Sequence, residues 1–97
     1  MPAAPLLSDE EIAERLRALR GWARSGDALV KTFRFADFAE AVAFVERLLE
    51  PADAQNHHPD VSIHWNEVTL SLWTHASGGL TERDVRLATT IDEMTEG

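Results

Sequence analysis

From Val68 to Leu72 apolar and polar residues alternate without a break: Val68, Leu70 and Leu72 fall on one side, Thr69 and Ser71 on the other. A period of two marks a strand with one buried and one wet face. A second alternating run, Val61-Ser62-Ile63-His64-Trp65, stands just before it, and Asn66-Glu67 reads as the tight turn between them. The two runs form a β-hairpin whose apolar face must be covered, because a lone hairpin is barely stable in water. Residues 28–35 repeat the pattern, with Leu29, Phe33 and Phe35 opposite Thr32 and Arg34. Trp22 opens a short extended piece before the turn Ser25-Gly26-Asp27.

Three amphipathic segments supply the cover. Ser8 and Glu11 make a capping box for a helix over 9–19, with Ile12, Leu16 and Leu19 on its stripe and Gly21 at its C-cap. Asp37 and Glu40 start a helix over 37–50 with the stripe Phe38, Ala41, Val42, Val45, Leu48 and Leu49, and Pro51 reads as its stop. Phe44 lies off that stripe, roughly opposite it, and is expected on the outer face as an oligomer contact. Thr81 caps a last helix over 82–95 with Leu87, Ala88, Ile91 and Met94 inward. The order α-β-β-α-β-β-α predicts an α+β two-layer domain: a four-stranded antiparallel sheet with helices on one face. Residues 1–7 read as a flexible tail, 8–97 as the single domain and 53–59 as a polar loop.

With 97 residues there is room for one core. No cysteine is present, so disulfides, iron–sulfur clusters, Cys-based zinc sites and a cysteine nucleophile are excluded. Nine basic residues stand against seventeen acidic ones, a net charge of −8, and the basic ones are scattered. Such a surface repels phosphate backbones, so no direct nucleic-acid partner is expected. No apolar run spans a bilayer and the first residues lack a secretory pattern, so no membrane contact and a cytoplasmic location are expected.

Histidine exchanges protons near neutral pH, and the chain has four: His57, His58, His64 and His75. His57 and His58 sit in the loop before Pro59; His75 ends the fourth strand, in phase with Thr69, Ser71 and Trp73, beside Gly78-Gly79. A hydrogen-bonded structural role stays open for the pair and is favoured for His64. No metal-binding spacing such as His-Glu-x-x-His occurs, so no metal is expected. Asp84 falls on the inward stripe of the last helix, where a carboxylate needs partners; a capping bond to Thr81 and a functional bond are equally open. Trp22, Trp65 and Trp73 are either core or platforms for a flat ring, and the phase of Trp65 with Val61 and Ile63 points to the core.

Asp53, then His57-His58-Pro59, then Trp65, His75 and Asp84 stand at the spacing of a known signature. Together with Phe33-Arg34-Phe35-Ala36-Asp37-Phe38, Ser71-Leu72-Trp73-Thr74-His75 and Gly79-Leu80-Thr81-Glu82-Arg83-Asp84, it resembles the pterin-4a-carbinolamine dehydratase family from about Leu7 to Met94. Asn56 departs from the acid that some members carry before the paired histidines. The resemblance implies dehydration of 4a-hydroxytetrahydropterin to quinonoid dihydropterin, recycling the pterin of aromatic amino-acid hydroxylases, with no metal or organic cofactor. It implies His57, His58 and His75 as catalytic, His58 also as substrate-binding, and Asp84 and Asp53 as supporting; Trp22 and Trp73, as platforms for a flat ring, are the aromatic residues expected to bind substrate. It also implies a homodimer or homotetramer. The alternative is a non-catalytic dimerisation or coactivator module that binds a protein partner.

Overall fold

The central hairpin forms as its alternation demands. In a computed structural model, which describes residues 3–95, β3 (Asp60–His64) and β4 (Glu67–Leu72) pair antiparallel. β4 also pairs with β2 (Ala28–Arg34), which pairs in turn with β1 (Ala23–Ser25). The sheet order is β1-β2-β4-β3 with every pair antiparallel. The inward residues of β4, Val68, Leu70 and Leu72, are fully buried. They share one core with Ile12, Ala41, Phe44, Leu87, Ala88 and Ile91 from the helices. The opposite face is polar, with a Thr32–Thr69 hydroxyl pair at 2.9 Å and an Arg34–Glu67 ion pair.

α1 (Asp9–Ala18) starts with the expected capping box: Glu11 N–H donates to Ser8 Oγ and Ser8 N–H donates to Glu11 Oε1. That backbone bond holds the exposed Glu11 carboxyl below its ordinary value. The helix ends at Ala18 with Leu19 extended, so Gly21 is not the cap; at φ 74 it turns the chain toward Trp22 instead. The expected helix over 37–50 is two helices, α2 (Phe38–Arg47) and α3 (Leu49–Gln55), joined at Leu48. Pro51 does not stop the first. It lies in the opening turn of α3, where a missing N–H has no intrahelical acceptor to lose. α3 thus takes up the first half of the segment read as a polar loop, and Asn56, left-handed at φ 48, ends it.

The phase of α2 also differs from the expected stripe. Ala41, Phe44 and Leu48 are buried, whereas Phe38 and Leu49 are exposed. Phe44 is a core residue, not an outer contact, because its ring fills the space between Phe33 and Phe35 at centroid distances of 4.9 and 5.0 Å. Trp65 is corrected as well. Glu67 pairs with His64, so the two-residue turn is Trp65-Asn66, and Trp65 leaves the strand phase at φ 55 and is exposed. Asn66 fixes that turn by donating through Nδ2 to the Phe35 carbonyl at 2.8 Å.

α4 (Glu82–Thr95) closes the fold. Its buried Asp92 accepts bonds from Trp22 Nε1 at 2.8 Å, Lys31 Nζ at 3.0 Å and the Arg20 N–H at 3.0 Å. The segment read as a loose tail is tied down where it is described: Leu7 N–H donates to the Leu80 carbonyl and Ser77 Oγ to that of Ala4. Met1 and Pro2 of that tail, and Glu96 and Gly97 of the domain, lie outside the described residues. Among the described residues no helix is long and apolar enough to cross a membrane.

Candidate active site

Asn56 turns the chain sharply after α3, and the His57 N–H then donates to the Ala52 carbonyl at 3.0 Å. This places the His57 ring against the first turn of α4. The ring is buried, and its Nε2 stands 2.5 Å from Oδ1 of Asp84, a fully buried carboxylate. The other oxygen, Oδ2, accepts from the Thr81 N–H and from Thr74 Oγ1, each at 2.9 Å. Thr74 has one hydroxyl proton and gives it to Asp84, so at 2.8 Å it accepts from Thr81 Oγ1. The Thr81 N–H and the Thr74 hydroxyl thus end on Asp84 directly, and the Thr81 hydroxyl supports it through Thr74. An acceptor-only carboxylate requires the proton on Nε2 of His57, so the neutral ring carries its lone pair on Nδ1. Among the described residues no hydrogen bond engages that Nδ1.

His57 opens onto a cleft of about 390 Å³. His58 lines it too, exposed, with Nε2 2.9 Å from Asp53 Oδ1. The turn after β4 supplies the facing wall. Thr74 forms a bridge with Gly79, and the intervening turn, with Gly78 at φ 75, presents His75 to the cleft. The His75 ring stacks on Trp73 at a centroid distance of 3.7 Å and 24° between planes. Trp73 Nε1 donates to Asp60 Oδ2 at 3.0 Å. Arg83, half-buried, adds a positive charge to the wall and donates to the Asn56 carbonyl. The cleft therefore holds three imidazoles, one of them oriented by a buried carboxylate. Imidazoles so placed can exchange protons with a molecule bound in the cleft. A wider groove of about 550 Å³ runs past Arg47, Leu49, Pro51 and Met94 but contains no histidine.

A family model for pterin 4 alpha carbinolamine dehydratase matches residues 5–94. The chain belongs to this family. A relative from Roseiflexus sp. (strain RS-1), provisionally named a pterin-4-alpha-carbinolamine dehydratase, is 53% identical over 91 residues, 94% of this chain and 98% of the relative. One from Thermomicrobium roseum, provisionally given the same name, is 50% identical over 88 residues, 91% of this chain and 95% of its own. A crystal structure described as a transcriptional coactivator/pterin dehydratase from Brucella melitensis superposes with a TM-score of 0.87. It is 33% identical, covering 93% of this chain and 98% of that one.

In this carbinolamine dehydratase family member His57, His58, His75 and Trp73 line one cleft, with Asp84 behind His57 and Asp53 beside His58. Trp22, expected at the substrate, is instead a core residue: its indole N–H is consumed by Asp92 and the residue is buried. His64 is exposed at the Glu67 end of the sheet and does not line the cleft. Thr74, Asp60 and Arg83 join the site with no role predicted for them from the sequence, whereas Thr81, predicted as the cap of α4 and a partner of Asp84, donates its N–H to that carboxylate. Thr74 shares the strand phase of buried Leu72, and a threonine on a core face needs a polar partner; that was the available signal.

Proposed function

We propose that this chain dehydrates a 4a-hydroxytetrahydropterin to the quinonoid dihydropterin and water, without metal or organic cofactor, and so recycles the pterin of aromatic amino-acid hydroxylases in the cytoplasm. The observation that supports it best is the His57–Asp84 pair facing a cleft shared with His58 and His75. The C4a hydroxyl leaves as water once it is protonated. The cation left at C4a is shared with N5, and loss of a ring proton gives the neutral product. Among the described residues no hydrogen bond engages the ring of His75, which suits the proton donor. His57, with Nδ1 bare, suits the acceptor. His58, steadied by Asp53, binds and orients the ring.

Purified protein is expected to speed the optical decay of a 4a-hydroxytetrahydropterin by roughly 10²-fold or more, as positioned acid–base groups do. Exhaustive chelation leaves the rate unchanged, and His64→Ala is nearly silent, while His58→Ala acts on KM more than on kcat. A folded sample with no acceleration sinks the enzyme reading. It would favour the second one, a coactivator or dimerisation module, which the double description of the Brucella melitensis structure keeps in view.

The same proposal includes a homodimer or homotetramer. β1 and β3 are open sheet edges, and Phe38, Leu49 and Val61 are large exposed apolar residues. Light scattering should give at least twice the mass of one chain. A single-chain mass at high concentration removes this part alone.

A further inference from the structure

The three cleft histidines are held in different ways. His57 is bonded to Asp84 and His58 to Asp53. Among the described residues no hydrogen bond engages either ring nitrogen of His75. Its imidazole is exposed on a turn, where two free torsions would let it sweep the cleft mouth. What restrains it is one face of the Trp73 indole, 3.7 Å away and 24° from parallel. The indole is restrained in turn. Trp73 lies just past the end of β4, and its Nε1 is bonded to Asp60 on the neighbouring strand β3. Asp60 pairs with Ser71 in the ladder, two residues before Trp73, so the anchor belongs to the rigid sheet.

We infer that Asp60 and Trp73 are positioning residues that fix the ring plane of His75, and that Trp73 acts through this histidine and not as a stacking platform for substrate. The stack suits both charge states of the ring, since an indole face accepts a neutral imidazole and attracts an imidazolium. It also fixes the side of approach. With one face covered, His75 meets the substrate with a ring nitrogen, as a group that transfers a proton must. The kinetic half of the inference rests on the dehydratase reading; the geometric half does not.

The test compares Trp73→Leu, Trp73→Phe and Asp60→Ala with the unaltered protein by ring-proton NMR and steady-state kinetics. In the unaltered protein the indole ring current should move the His75 ring protons well upfield, with His75→Gln assigning the signal. Trp73→Leu should return that signal to its ordinary position, lower kcat about 10-fold and leave KM within about twofold, as misplacement of a proton-transfer group does. Trp73→Phe should restore part of both. Asp60→Ala, on an exposed edge, should shift the signal partway and lower kcat by a smaller factor. An unshifted His75 signal in the unaltered protein overturns the inference even if no activity is found. So does a Trp73→Leu protein with full kcat and raised KM, which would make the indole a substrate contact. If Asp60→Ala changes neither signal nor kcat, Asp60 has no part in it. Absence of activity beside the expected NMR shifts would instead count against the dehydratase reading alone.

Discussion

Asp84→Asn is expected to lower kcat by roughly 10²-fold or more while the protein stays folded, because it reverses the proton on His57. The carboxylate accepts from Thr74 and Thr81 through Oδ2 and faces His57 Nε2 through Oδ1. An asparagine of the same shape keeps its oxygen toward the two threonines and turns its NH2 toward His57. Two donors cannot face each other, so Nε2 gives up its proton and Nδ1 takes it. The nitrogen open to the cleft then has no lone pair for a substrate proton. His57→Ala should lose as much, and the double variant no more than either, since both changes remove one device. Asp84→Ala differs in kind: it leaves three buried donors without an acceptor and should cost about 3–5 kcal/mol of stability. The measurements are kcat at saturating pterin and the urea midpoint for each variant. Near-normal kcat in Asp84→Asn would refute the role given to the pair.

The contrast between Asp84 and its neighbours shows what one chain reveals of a site. Asp84 stood out because a carboxylate on an apolar helical stripe is anomalous, and the histidines because of their spacing with Asp53 and Trp65. Asp60 has an unremarkable local context, and Thr74 and Thr81 show locally only a hydroxyl in a core phase and a helix cap. Their roles exist only once β4, the following turn and α4 meet, and no pattern within a strand or helix announces that meeting. Trp22 and Trp73 were indistinguishable as sequence. One indole N–H ends on Asp92 in the core and the other on Asp60 at the cleft, a difference made by sheet position.

The sheet was legible because a period of two leaves one consistent face, and Val68, Leu70 and Leu72 are buried as their phase requires. The helical phase of α2 was harder. Nine apolar residues between 38 and 49 cover more than half of the helix circumference, so several stripes fit the same letters. The choice among them belongs to the sheet beneath, where Phe33 and Phe35 leave a slot that an aromatic ring fills. Pro51 misled for a related reason. Proline is as welcome in the first turn of a helix as after its end, and only the length of the following helix tells the two apart.

Phe44→Ala and Phe38→Ala separate the two stripes by stability. Phe44 has no exposed surface, and its ring lies at 4.9 Å from that of Phe33 and 5.0 Å from that of Phe35. Truncating it removes a buried ring and opens a cavity between α2 and β2, where the sheet cannot follow without breaking its β2–β4 ladder. The expected cost is about 3–5 kcal/mol. For a domain of this size each kcal/mol lowers Tm by roughly 4–8 °C, and the loss approaches the whole stability of many such domains. Phe38, 56% exposed at the start of α2, should cost less than about 1 kcal/mol in the isolated chain. If Phe38 sits in an interface between copies, its truncation should also lower the concentration-dependent part of Tm, whereas the Phe44 loss should be the same at all concentrations. Urea melts of both variants at two protein concentrations decide the matter. Equal losses, or a larger one for Phe38, would mean that α2 presents the other stripe to the sheet.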